Sequence, residues 1–355
     1  MSESELHYKN HSQQRAIGIW LLVCAITVYI MIVVGGFTRL TQSGLSMVEW
    51  EPIMGTIPPL SLQDWQETFD KYRQSPEYLK VNKGMSLEEF KEIFWWEYGH
   101  RVLGRFIGLL FFLPYMFFLV RGYLTKPWKI KLFGLFLLGG LQAVVGWYMV
   151  KSGLVDNPRV SQYRLASHFG IALAIYAVMI WFMLDFLKGQ EKGIKLSYRK
   201  WSIISVKLIF FMMLTGAFVA GLKAGHIYNT FPKMGATFVP AEIFNVQPVW
   251  KNFFENPVTV QFVHRCLAYL IILIVTVTFI KGLVFARKHP EIQIRLNLIV
   301  FFVLMLLQVK FGIMALLKSV PVSWGALHQG TAVLLLTSAL FLAHRLSRDY
   351  SATSQ

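Results

Sequence analysis

Apolar residues gather in eight blocks along the chain, at roughly 17–36, 98–120, 130–150, 164–187, 200–221, 259–285, 293–317 and 323–345, with polar and basic stretches between them. Each block is close to the roughly 20 residues that a helix needs to cross about 30 Å of hydrocarbon. In lipid the backbone groups of such a block must pair within it, which only a helix achieves. The pattern therefore predicts an all-α membrane protein with eight transmembrane helices.

Composition agrees and narrows the class. Hydrophobic residues make up 55 % of the 355 and charged residues only 15 %, with a mean hydropathy of +0.49. A water-soluble core cannot hide that much apolar surface. Lysine and arginine outnumber acids 35 to 19, which in a soluble chain would raise nucleic acid as a partner. Here the basic residues sit in short loops after the second, fourth and sixth blocks: Arg121, Lys126, Lys129 and Lys131, then Lys188, Lys192, Lys195, Arg199 and Lys200, then Arg287, Lys288 and Arg295. They set orientation instead, placing these loops and both termini in the cytoplasm, and no nucleic-acid partner is expected. Met1 to Arg15 is polar with both charge signs, unlike a secretory signal or a transit peptide. The first block is thus expected to stay as an anchor, in a bacterial plasma (inner) membrane. The two cysteines, Cys24 and Cys266, fall inside apolar blocks and read as packing residues.

The opposite side receives one long segment, 37–96, rich in Trp, Pro and acids; such length in a compact protein usually means function. Within it Ser86-Leu87-Glu88-Glu89-Phe90-Lys91 reads as a capped amphipathic helix lying at the interface. A second loop on that side, about 222–258, is shorter.

The chain also resembles itself. Gly35-Gly36-Phe37 through Gly44 matches Gly216-Ala217-Phe218 through Gly225, and Pro52-Ile53-Met54-Gly55 matches Pro232-Lys233-Met234-Gly235. Glu97-Tyr98-Gly99-His100-Arg101 matches Gln261-Phe262-Val263-His264-Arg265. Leu141-Gln142 through Gly146 matches Leu307-Gln308 through Gly312, and Ala166-Ser167-His168 matches Ala326-Leu327-His328. Order and membrane orientation are kept, so the repeat is parallel: two tandem four-helix bundles. The expected organisation is a cytoplasmic tail 1–16, a first half 17–187 carrying the segment 37–96, a linker 188–199, a second half 200–345 and a tail 346–355.

Of nine histidines, His7, His11, His226, His289 and His344 fall in tails, loops or at a cytoplasmic helix end and read as solvated or interfacial. The other four, His100, His168, His264 and His328, lie about one turn inside the same ends of the second and fourth blocks of each half. Ionisable residues at such depth are costly and face the bundle interior. Two repeated pairs at one depth suit axial ligation of haem iron between facing helices. Zinc is the competing metal, but it favours four close ligands and neither pair has a cysteine or second carboxylate beside it. Arg101 and Arg265 follow a histidine directly, where haem propionates would meet water; a bidentate contact suits them, the alternative being that they snorkel to headgroups. The halves differ at Glu97, one turn from His100, whose counterpart is Gln261. A carboxylate can move protons and an amide cannot. The first half reads as the reaction site, the second as a cofactor site, unless Glu97 only caps its helix.

These residues together closely resemble the haem A synthase family over nearly the whole chain. The most specific stretch runs from Gly35 to Trp50, joined by Pro58-Pro59, Trp65, Pro76-Glu77-Tyr78, Phe94-Trp95-Trp96-Glu97-Tyr98-Gly99-His100-Arg101 and Leu327-His328-Gln329-Gly330. It looks like the long-loop subtype of mitochondria and Gram-negative bacteria. The resemblance implies oxidation of the C8 methyl group of haem o to a formyl group by successive hydroxylations, giving haem A for cytochrome oxidase. It implies that His100 and His168 flank the substrate haem, that Glu97 serves the chemistry, and that His264 and His328 ligate one permanent haem b. Haem o synthase and cytochrome oxidase assembly factors are the partners it brings into view. Small-residue positions Gly139-Gly140, Gly104 and Gly108 permit close helix packing, within a protomer or in a homo-oligomer. A different class, a diheme b-type membrane cytochrome exchanging electrons with quinone, would hold two permanent haems of one type.

Overall fold

A computed structural model describes residues 3–49, 54–154, 158, 160–188, 198–290 and 293–347, with the backbone alone for 3–10. Most of the linker 188–199 and of the tail 346–355 lies outside the described residues, as do Trp50, Pro52 and Ile53 of the motifs. Among the described residues eleven α-helices follow one another: α1 (Glu3–Leu40), α2 (Leu62–Arg73), α3 (Pro76–Lys80), α4 (Leu87–Val120), α5 (Lys126–Gly153), α6 (Gln162–Lys188), α7 (Arg199–Gly221), α8 (Asn252–Glu255), α9 (Pro257–Lys288), α10 (Arg295–Leu317) and α11 (Val322–Arg345). Eight of them, α1, α4, α5, α6, α7, α9, α10 and α11, are long and apolar enough to cross a membrane. The protein is a multi-pass, all-α membrane protein. Among the described residues there is no strand, only an isolated bridge between Met234 and Thr237.

The helices overrun the apolar blocks because their ends are built from polar signals. In α4, the Ser86 hydroxyl accepts from the backbone N–H of Glu89 while the Glu89 carboxylate accepts from that of Ser86. The cap is where the sequence places it, but the helix is not a separate interfacial one. No breaker lies between Lys91 and Glu97, so the same helix runs on into the membrane span, and the expectation of a helix lying flat at the interface is corrected. Likewise α1 starts at Glu3 rather than after a tail 1–16. In α9, Asn256 accepts from Val258 and Thr259, with Pro257 at the first position, where its missing N–H costs nothing.

Lipid-facing and core-facing rows are clear on α1. Ile19, Val23, Ile26 and Ile30 are exposed, whereas Ile17, Leu21, Cys24, Ala25, Val28 and Ile32 are buried on the other face. That face meets α4 and α6 on one side and α11 on the other. The same plan recurs further along: α7 packs on α9 and α11, and also on α6. α5 lies against α4 and α6, α10 against α9 and α11. The centre is therefore α1, α6, α7 and α11. Polar bonds cross it at every depth. Arg39 donates to the carbonyls of Ala220 (2.7 Å) and Gly221 (3.2 Å), and Lys223 donates to Gln42 Oε1 (2.8 Å). Gln329 donates to the Ile32 carbonyl at 2.9 Å, and the Tyr176 and Thr337 hydroxyls are 2.7 Å apart. At the far end His344 Nε2 lies 2.8 Å from Asp185 Oδ1, buried against Trp181. His344 is thus neither solvated nor interfacial: a carboxylate on the neighbouring half satisfies it.

Two further sequence expectations change. Cys24 packs in the core, but Cys266 is exposed. A Cβ added at Gly108, Gly139 or Gly140 would meet nothing within 4 Å, so these three positions do not bring helices together within the chain, whereas one at Gly104 would meet the end of Met31 on α1 at 3.4 Å. The long segment folds over one end of the bundle with a core of its own, Trp65, Phe69, Tyr72, Phe90 and Phe94, laid on the projecting first turns of α4.

Candidate functional site

His100, His168, His264 and His328 all lie toward the end of the bundle that carries the long segment, on α4, α6, α9 and α11, and all are half-buried. His168, His264 and His328 stand about two turns from their helix starts, which lie ahead of the apolar blocks. His100 stands further along because α4 begins out in the covering segment. Each ring is seated against a glycine of a neighbouring helix. A Cβ at Gly35 would lie 3.3 Å from His100 Nε2, and one at Gly216 3.4 Å from His264 Cε1. Those at Gly146 and Gly312 would lie 2.8 Å and 2.7 Å from Cε1 of His168 and His328. The four seats come in two matched pairs.

In the second half the ring centres of His264 and His328 are 6.5 Å apart, steeply inclined. Metal–imidazole bonds of about 2 Å put two ring centres roughly 6 Å apart when one metal ion lies between them. The pair therefore fits a bis-imidazole axial site such as haem iron uses. His264 Nδ1 lies 2.8 Å from the Thr215 hydroxyl, and His328 Nδ1 lies 3.2 Å from the Gln308 carbonyl and 3.1 Å from the Gln308 side-chain nitrogen. Among the described residues no three His, Cys, Asp or Glu converge, and each half offers two imidazoles as candidate donors. Such a set suits an iron already held by a macrocycle.

In the first half Gln142 Nε2 is 3.3 Å from His168 Nε2, and neither ring nitrogen of His100 has a hydrogen bond among the described residues. Beside this pair lies what the second half lacks. Glu97 is buried, and Arg101 Nε donates to its Oε1 at 2.7 Å. Arg101 also donates to the carbonyls of Met47 and Glu49, both at 2.9 Å. Arg265 does the same in the second half, to the carbonyls of Tyr228 (2.8 Å), Thr230 (2.9 Å) and Lys233 (3.2 Å). Both arginines are thus clamps on the covering loops as well as charges near the histidines. Because Gln261 replaces the carboxylate, Arg265 Nε and Gln261 Oε1 are left buried without a hydrogen-bond partner among the described residues. Each arginine also borders a cleft, of about 190 Å³ in the first half and about 180 Å³ in the second.

The family described as cytochrome oxidase assembly protein (COX15-CtaA) matches residues 18–340. The chain belongs to that family. It is 50 % identical over 342 residues to Heme A synthase of Nitrosospira multiformis, covering 95 % of each chain. It is 46 % identical to the proteins of the same name from Nitrosomonas eutropha, over 97 % of this chain and 96 % of that one, and Parvibaculum lavamentivorans, over 96 % and 97 %.

Several residues of this family member's site carry no role in the sequence reading. Gln142 with Gly146, and Gln308 with Gly312, recur four apart and so share a helix face. Their repetition was the available signal, and it shows only similarity, not that the face meets a histidine. Thr215 and Glu77 have no repeated counterpart of the same type. Glu77 is buried under the covering segment, where it accepts from the Tyr72 hydroxyl at 3.2 Å, and that hydroxyl accepts from Asn82 Nδ2 at 2.8 Å.

Proposed function

We propose that this protein oxidises haem o to haem A, with the substrate between His100 and His168 and one resident haem b between His264 and His328. The observation that carries the division of labour is the buried Glu97–Arg101 ion pair beside the first histidine pair, against Gln261 and an unpaired Arg265 Nε in the second. The names of relatives alike over nearly the full length support the reaction.

The two histidines of each half hold and orient a macrocycle between facing helices. A bound haem b supplies a one-electron relay toward the first half. Glu97 would hold or move a proton at its carboxylate oxygens, while Arg101 keeps that carboxylate in place. The covering segment excludes water from that end. Leu45 is buried against Gly153, Ser43 is buried, and the Ser46 hydroxyl donates to the Ile93 carbonyl at 3.3 Å. Arg101 and Arg265 offer positive charge to haem propionates; their other donors are already given to loop carbonyls, so they attract a propionate without releasing the loops. The basic loops 121–131, 188–200 and 287–295 put the opposite end and both termini in the cytoplasm, with the covering segment outside a bacterial inner membrane. Haem o reaches the first half from its synthase or from lipid, and the product goes to cytochrome oxidase assembly.

Glu97→Gln copies the second half and tests this reading. Expressed in a host that makes haem o but no haem A, the variant is expected to retain its resident haem and to yield little or no haem A when extracted haems are separated by chromatography. Haem A at the level of the unaltered protein would remove Glu97 from the chemistry. Extraction of haem b alone from the unaltered protein, with haem o supplied, would favour the diheme cytochrome instead.

A further inference from the structure

His100 and His264 occupy matched places, yet only one of them is held through its second nitrogen. The Thr215 hydroxyl lies 2.8 Å from the Met212 carbonyl and 2.8 Å from His264 Nδ1. A hydroxyl has one hydrogen and two lone pairs. Given to the carbonyl, which can only accept, that hydrogen is not available to the ring. The hydroxyl oxygen then accepts from Nδ1–H, and His264 Nε2 keeps its lone pair. His328 is held differently: its Nδ1 lies 3.2 Å from the Gln308 carbonyl, which can only accept, and 3.1 Å from the Gln308 side-chain amide nitrogen, which can only donate, so Gln308 does not select one tautomer. The His264 imidazole is therefore the one set in the tautomer that binds a metal through Nε2. Partners of this kind fix ring orientation and raise ligand basicity.

The first half lacks the device. Gly35 and Gly216 are matched seats, each against its histidine, and the residue before each is Val34 in one half and Thr215 in the other. Valine and threonine have nearly the same shape, but valine brings no hydroxyl. His100 has no hydrogen bond to either nitrogen among the described residues, and His168 Nδ1 is buried without one. We propose that Thr215 is a positioning residue that makes His264 a permanent haem ligand, and that Val34 at the matched place leaves His100 a ligand that releases its haem. This rests on the reading above, in which one half keeps a haem and the other passes one through.

Thr215→Val and Val34→Thr exchange the two states at almost constant volume. Full-length protein is purified in detergent with haem b bound, and transfer of haem to excess apomyoglobin is followed in the Soret band. Thr215→Val is expected to lose haem b about 10–100-fold faster, the usual effect of removing such a partner, and Thr215→Ser to restore the original rate. Val34→Thr, loaded with haem o, is expected to release it more slowly than the unaltered protein. His264→Ala is the control for the underlying reading and should leave the second half without its haem. If His264→Ala empties the site but Thr215→Val loses haem at the original rate, Thr215 does not position the ligand. If His264→Ala keeps its haem, the assignment of the resident site itself fails. If Thr215→Val does not fold, Val34→Thr decides, and an unchanged release rate there overturns the proposal.

Discussion

Glu77 shows how a single side chain ties the covering segment to pH. It is 5 % exposed, in a short helix that Ser75 caps. Burial pushes its carboxyl up to about 7, with the nearby Glu97 carboxylate pushing the same way and the Tyr72 hydroxyl and Lys223 opposing. The folded segment thus keeps a proton that an unfolded one has already given up above the ordinary carboxylate range. The resulting stability is present at low pH and is lost as pH rises through about 7. The hydrogen-exchange protection factors of residues 62–96, that is, the intrinsic exchange rate at each pH relative to the observed one, are expected to fall across that interval in the unaltered protein and to stay level in Glu77→Gln. Equal slopes for the two would show that Glu77 does not couple the segment to protons. The four histidines, the two arginines and the contrast of Glu97 with Gln261 were legible in the sequence because the repeat compares the chain with itself. Glu77 was not, since no second copy marks it and its burial depends on how α2 and α3 fold back over α4. Asp185 with His344 was hidden for a similar reason: a charge near a helix end reads as solvated until the partner helix is in place.

At the scale of helices, the spans and their order could be read from apolar length, because lipid sets that length directly. The helix ends and faces were less legible. The Ser86 cap was visible, but whether a capped turn lies flat or runs on into a span depends on the absence of a break before Glu97. The glycines divide more sharply. Gly139 and Gly140 look like packing positions by composition, yet face open space, whereas Gly146 and Gly312 each seat a histidine ring. A methyl group at Gly312 would stand 2.7 Å from His328 Cε1, so the ring or the helix must shift. Overpacking of this kind costs about 1–3 kcal/mol. Gly312→Ala is expected to reduce the haem-to-protein ratio of the purified protein several-fold, and Gly140→Ala to leave it unchanged. The comparison is an absorbance spectrum normalised to protein. A normal ratio in Gly312→Ala would mean that α10 does not form the wall of the resident site.

At the scale of the whole molecule, the two sets of four helices meet through α1, α6, α7 and α11, and the bonds between them are spread from one end to the other. Arg39 reaches Ala220 and Gly221, and Lys223 reaches Gln42, at the covered end; Gln329 reaches Ile32 in between; Asp185 holds His344 at the opposite end. The Gly36 seat fits the Gln329 side chain so closely that a Cβ there would overlap its Oε1. An interface held at three depths, with close packing between, does not need the chain to run through it. Severing the chain between Glu191 and Lys192 and expressing the two pieces together is therefore expected to give a complex that co-purifies through a tag on one piece. It should carry the same haem spectrum as the unsevered protein and form haem A. If each piece is recovered alone, the covalent link is what holds the halves in register. If the pieces join but no haem A forms, the relation between the halves requires the link even though their association does not. The same pair of pieces separates the sites, since His264 and His328 lie on the second alone and Glu97, His100 and His168 on the first. A haem spectrum that follows the second piece would place the resident group there independently of any substitution.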